Sequence, residues 1–179
     1  LALAARAAKP FVRTRAGALF ASVSDTWLEA QRRGWTTFPA QRLRDEGAAE
    51  ALGAYALDWW LVFGFSMLPP ALLEVPRRGV LGFHPWRLPA HRGASPVVWA
   101  TLAGERAGGW TVSELDAGVD TGPIVLHGDV PLAEDDDAET ALHHICAVGA
   151  RRFAELALEL SLGAELPAVE ASPFAESYE

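Results

Sequence analysis

Asparagine is absent from this 179-residue chain, and lysine, cysteine and methionine occur once each, as Lys9, Cys146 and Met67. One thiol cannot form an intrachain disulfide, and a CxxC metal site is excluded. An intracellular, cytoplasmic setting is therefore the default expectation. Cys146 falls in a helical apolar pattern and reads as a small buried hydrophobe. Basic residues are outnumbered 15 to 23 by acidic ones, for a net charge of −8. No Lys/Arg cluster follows a helix, so the basic footprint of a phosphate-backbone binder is missing and nucleic acid is not an expected partner. No apolar run reaches the roughly 20 residues of a membrane span. Leu1–Ala5 is short and has no basic leader, so it does not read as a signal peptide. The first residue is not methionine, which suggests a start inside a longer product or unseen leading residues.

Half the residues are apolar and about a fifth are charged, the balance of a globular domain. The length suits one domain with a substantial core. Residues 1–166 are assigned to it, and residues 167–179, with proline, serine and acidic residues, to a surface tail.

Along the chain, alanine-rich Leu1–Lys9 predicts a helix ended by Pro10. Ala18–Val23 reads as a strand, Asp25 as an N-cap and Thr26–Arg33 as a helix stopped by Gly34. Trp35–Pro39 is a short strand candidate and Asp45–Ala56 a helix. Trp59–Phe65 is continuously apolar, as in a parallel strand covered on both faces. Ala71–Val75 is a short helix, Gly79–Pro85 a strand and Pro96–Ala103 a helix. Gly109–Leu115 and Pro123–Val130 predict a hairpin-like pair of strands. Glu139–Leu162 is a long amphipathic helix closed by Gly163, and the acidic run Glu134–Asp137 suits its positive N-terminus better than a metal. Alternating strands and helices predict an open, mostly parallel, Rossmann-like α/β sheet flanked by helices.

Two segments carry candidate chemistry. His84-Pro85 follows an apolar strand directly, at the sheet edge where open α/β folds bind ligands. Pro89 and Gly93 stiffen and turn the loop behind it. Asp116-Ala117-Gly118-Val119-Asp120-Thr121-Gly122 is a loop whose glycines let backbone N–H groups face a ligand. On residue type alone, His84 also reads as a structural histidine and the loop as a turn closed by Asx hydrogen bonds. Together, a histidine and a carboxylate at one sheet edge form a general acid–base pair. Arg92 suits an anionic ligand or a loop tie equally. His143 and His144 are adjacent on a helix and lack the i, i+4 spacing of a metal pair.

Gly64-Phe65-Ser66-Met67-Leu68-Pro69, then Phe83-His84-Pro85 with Leu88-Pro89 and Arg92-Gly93, then the 116–122 loop, resemble the folate-dependent formyltransferase family in order and spacing. That family includes methionyl-tRNA, glycinamide ribonucleotide and sugar N-formyltransferases. The likeness covers about residues 55–130, and more loosely back to about residue 17. It implies a Rossmann-like domain that uses 10-formyltetrahydrofolate, without a metal, to formylate an amine. His84 and Asp120 match the family's catalytic histidine and aspartate. The pterin is expected against Ser66, Met67, Leu68 and Leu73, and against the backbone from Leu115 through Asp116, Gly118 and Val119 to Asp120.

The family's catalytic asparagine, which holds the formyl oxygen as it becomes negative, has Gly82 at its position. Losing one such donor costs about 2.7–4 kcal/mol, or roughly 100- to 1000-fold. The resemblance thus implies formyl transfer to a small-molecule amine, with protonated His84 stabilising the oxyanion and Asp120 orienting it and relaying the amine proton. Transfer of a different, bulkier acyl group into the space at Gly82, donor hydrolysis, or a folate-binding module without catalysis are the alternatives. Trp86 replaces a small polar residue and is expected to reshape the pocket. The family's first strand and its glycine loop are not found before Leu1. The tRNA enzyme's added C-terminal domain is not found either, which argues for a small-molecule acceptor. A homodimer is compatible with all of this.

Overall fold

The computed structural model describes residues 3–5, 32, 34, 37–39, 43–64 and 67–167. Its elements are β1 (Leu3–Ala5), β2 (Thr37–Pro39), α1 (Ala48–Gly53), β3 (Trp59–Phe63), α2 (Pro70–Leu73), β4 (Gly79–His84), α3 (Pro96–Leu102), β5 (Ala107–Glu114), β6 (Ile124–Pro131) and α4 (Ala138–Ser161). Four strands form a sheet in the order β3-β4-β5-β6, and β1 and β2 form a separate parallel pair. The open α/β architecture is the expected one, with strand directions that are mixed. β3 and β4 run parallel, while β4–β5 and β5–β6 run antiparallel. β5 and β6 are joined by a loop too short for a parallel crossover, so they must return as a hairpin.

The alanine-rich start is a strand at Leu3–Ala5 and not the expected helix. It pairs in parallel with Thr37–Pro39, and this long-range pairing overrides alanine's helix propensity, which tertiary context readily outweighs. Ala18–Val23 and Asp25 lie outside the described residues. Of Thr26–Arg33, only Arg32 is described, and it is helical.

The sheet is covered on both faces. Leu81, Phe83, Trp110 and Val112 pack with α3 and with Ile145, Phe153 and Leu156 of α4. On the other face Trp60 and Val80 pack with Leu43, Leu52, Leu68 and Leu72. Gly149 of α4 lets the helix sit on the sheet, because a Cβ there would come 2.4 Å from Phe83. Asp137 caps α4 by accepting the Thr140 N–H at 2.9 Å, so the acidic run does serve the helix N-terminus. At the other end Gly163 takes the left-handed conformation, φ +93, which favours glycine.

Strand alternation then decides which side chains share a face. Val80, Gly82 and His84 point one way along β4. The β4–β5 register sets Gly82 opposite Ser113 and His84 opposite Thr111. Both Ser113 and Thr111 are buried polar residues. That face, at the carboxyl end of β4, is where the candidate chemistry sits.

Candidate active site

His84 ends β4 and is 6% exposed. Its Nδ1 lies 3.3 Å from Asp120 Oδ2, and its Nε2 lies 3.1 Å from the carbonyl oxygen of His91. Asp120 is fixed in turn by the Gly93 N–H, which donates to the same Oδ2 at 2.8 Å. Three separate segments therefore converge on one imidazole: the strand end, the 85–93 loop and the 116–122 loop.

Each loop is held by bonds that the local sequence supplies. Thr111 is fully buried; its hydroxyl donates to Trp86 O at 2.9 Å and accepts the Leu88 N–H at 3.0 Å. One β5 side chain thus satisfies both backbone groups of the turn leaving β4. The Leu88–Pro89 peptide is cis. His91 donates its Nε2–H to Glu105 Oε1 at 2.5 Å, which anchors the residue whose carbonyl faces His84. In the second loop, Asp116 Oδ1 accepts from the Gly118 N–H at 2.9 Å and the Thr121 hydroxyl at 2.6 Å. Asp116 therefore closes its own loop as an Asx turn. Gly118 and Gly122 are required by close approach: a Cβ would fall 2.0 Å from Thr121 Oγ1 and 1.9 Å from Glu114 O respectively. Asp120 itself has φ +51, a left-handed conformation that aspartate tolerates better than most residues.

Burial lowers the His84 pKa from its usual 6.5, and the nearby Asp120 carboxylate and the His91 carbonyl oppose the shift only in part. Burial thus favours the neutral imidazole, while Asp120 and the His91 carbonyl favour the charged one. Removing water from the charged form outweighs a carboxylate held at a distance that gives a long, weak contact.

The expected pterin contacts divide into distinct environments. Met67 is 59% exposed and Val119 44% exposed, so both offer apolar surface to a ligand. Leu68 is buried in the cluster around Leu72 and Val80, with Leu73 and Leu115 partly buried against it. Asp116 and Gly118 are exposed, and Ser66 lies outside the described residues. Arg92 is half-buried in the loop that delivers the Gly93 N–H to Asp120. Exposed His144 instead pairs with Asp136 at 3.4 Å. No group of three His, Cys, Asp or Glu able to hold a metal occurs among the described residues. No described helix is long and apolar enough to cross a membrane. A cavity of about 150 Å³ between Leu43–Ala49 and Pro69–Leu72 does not touch the His84–Asp120 pair.

Trp86 is 2% exposed, packs into the α4 side of the core and sets its ring edge-on to His91 at 5.6 Å. The space expected at Gly82 is occupied. A Cβ on Gly82 would lie 2.4 Å from Leu115 Cδ2 and 2.9 Å from its Cγ. Leu115 is set there by its N–H, which donates to Val80 O at 2.8 Å. Sequence reasoning missed Leu115 in this role, along with Thr111, Glu105 and the His91 carbonyl. Their signal lies in strand register and loop path, which residue types alone do not encode.

The formyl transferase family profile matches residues 4–155. The chain belongs to the formyltransferase family. The match is wider than the 55–130 stretch carried by the motifs. A methionyl-tRNA formyltransferase from Parabacteroides distasonis is 34% identical over 141 residues, covering 79% of this chain and 43% of that protein. The chain spans less than half the length of the first such relatives it matches. Among solved structures, glycinamide ribonucleotide transformylase 1 from Symbiobacterium toebii is 28% identical with a TM-score of 0.66, covering 76% of this chain and 68% of that one. The fold is also shared with the formyltransferase PseJ from Anoxybacillus kamchatkensis, at 21% identity and a TM-score of 0.63, over 86% of this chain and 80% of that one. That structure holds UDP-4,6-dideoxy-4-formamido-L-AltNAc and tetrahydrofolate.

Proposed function

We propose that this family member transfers a formyl group from 10-formyltetrahydrofolate to an amine of a small-molecule acceptor. The observation that carries the reading is the buried His84–Asp120 pair, 3.3 Å apart at the carboxyl end of β4. The folate supplies a formyl carbon already attached to a nitrogen leaving group. The acceptor amine forms a C–N bond to that carbon, and the bond to the folate nitrogen breaks, giving a formamide and tetrahydrofolate.

The chain's own residues move the proton. His84 donates Nε2–H to the His91 carbonyl and sets Nδ1 3.3 Å from Asp120 Oδ2, so a proton taken up between them is shared by the pair. As the amine attacks and its nitrogen becomes positive, its proton passes to this pair, directly or through one water. The Asp120 carboxylate then stabilises the imidazolium. The pair returns the proton to the departing folate nitrogen. Gly93 keeps Asp120 aimed throughout by donating to Oδ2. Met67, Leu73 and Val119, with the 115–120 backbone, fit the flat apolar face and polar edge of a pterin.

Charge matches the acceptor proposal: with net −8 and no basic stripe, a small amine suits the chain better than tRNA. Calorimetry with 10-formyltetrahydrofolate tests the donor, and absence of binding would sink the reading. Product analysis with amino sugars, glycinamide-type amines and methionyl-tRNA separates the acceptors.

A further inference from the structure

Gly82 and His84 share one face of β4, two residues apart. A glycine beside a reactive histidine leaves a gap the size of a side chain. Such a gap, bordered by an imidazole and polar backbone, is a site where water settles. In this chain the gap is filled by Leu115, whose Cδ2 and Cγ occupy the space a Cβ on Gly82 would need. Leu115 cannot easily leave. Its backbone is bonded to Val80, and its side chain packs against the cluster of Leu72 and Val80.

We propose that Leu115 is a water-excluding plug that replaces a polar side chain beside His84 and protects the bound donor from hydrolysis. This inference rests on the folate reading above. The reaction it suppresses is simple. Water adds to the formyl carbon, the bond to the folate nitrogen breaks, and a water proton moves through His84 and Asp120 to that nitrogen. Formate and tetrahydrofolate result. His84 is suited to activate water as well as an amine, because it faces the Asp120 carboxylate at 3.3 Å. Keeping water out is one recognised way an active site prevents such side reactions. An apolar plug does so without offering the oxygen a hydrogen-bond donor, so the site gains donor protection in place of oxyanion stabilisation.

The plug is tested by Leu115→Ala, with Gly82→Ala as an independent route, since its Cβ must push Leu115 aside. The first readout uses the free protein and needs no activity. The His84 ring protons are followed by NMR across pH. His84 is faced by Asp120 and by His91, and neither is altered in these variants. Hydration after removal of the plug raises the His84 midpoint toward its usual value, because water favours the charged form. The second readout is formate release from bound 10-formyltetrahydrofolate with no acceptor present, expected to rise several-fold in both variants. Folding is checked by near-UV circular dichroism, and Leu115→Val, which removes less, is expected to fall between wild type and alanine. An unmoved His84 midpoint, or unchanged formate release from a variant that binds the donor, overturns the plug. Failure of wild type to bind the donor overturns the folate reading and the proposed protection with it, and the midpoint still reports whether Leu115 excludes water.

Discussion

Asp120 Oδ2 touches His84 Nδ1 at 3.3 Å and the Gly93 N–H at 2.8 Å, so one carboxylate oxygen serves the imidazole and a loop at once. The contact to the backbone is the shorter. Asp120 is therefore a fixed partner around which the imidazole works.

His84→Ala and Asp120→Ala are each expected to lower formyl transfer by about 100- to 10,000-fold, the usual worth of a positioned acid–base group. Donor affinity by calorimetry should change little if, as proposed, the pterin rests on the exposed apolar surface of Met67 and Val119. Affinity lost in parallel with rate would move these residues into a binding role.

Stability should depend on pH through His84. Its folded pKa lies below 6.5, so the unfolded chain binds a proton that the folded one refuses. Stability contributed by neutral His84 is fully present above pH 6.5 and declines as pH falls toward the folded value. Urea unfolding of wild type and His84→Gln across this window checks the sign. The variant should show a shallower decline.

Gly82→Asn installs the side chain that the resemblance implies for this position, and it collides with Leu115. Overpacking of this kind costs about 1–3 kcal/mol, measurable by chemical denaturation. The single variant is expected to transfer formyl no faster than wild type. Gly82→Asn combined with Leu115→Ala should recover the stability and exceed the single variant in rate. A single variant as stable as wild type would mean that Leu115 yields freely.

Thr111→Val keeps the shape of a fully buried side chain but strands the Leu88 N–H and removes the donor to Trp86 O. A buried unsatisfied group costs about 1–3 kcal/mol. The loop that carries His91 should loosen with it, seen as faster amide exchange at Leu88–Gly93.

The Cys146 thiol is half-buried and pushed up to about 11 by that burial. It should react slowly with a disulfide reagent near pH 8 and rapidly once the chain is unfolded. Fast modification of the folded protein would contradict the packing of α4.

The strands β3, β4, β5 and β6 and the ends of α4 were legible because apolar runs and end signals act locally. Even so, β3 is an edge strand of the four-stranded sheet with Phe63 48% exposed, and not the strand covered on both faces that its apolar run predicts. His84 and Asp120 were legible as members of spaced motifs. The helix expected at the N-terminus was not a safe inference, since three residues of β1 take their conformation from a partner more than thirty positions away. The electrostatics of His84 were legible only in part: a sequence shows the neighbouring carboxylate, which raises the imidazole pKa, but not the depth of burial, which lowers it further. The filling of Gly82 is of the same kind. Leu115 reaches that space only because β5 runs antiparallel to β4, with Leu81 opposite Glu114.

One contact far from the chemistry pins the segment after α4 to the sheet. Arg78, just before β4, stacks on Trp59 and bonds Glu165 at 2.6 Å, and Leu166 returns to the core. Glu165 is thus stitched beside the start of β4, while His84 marks the other end of that strand, about 16 Å away at strand rise. A dye carried by residue 165 would sit at the rear of the sheet and report on that end without crowding the imidazole.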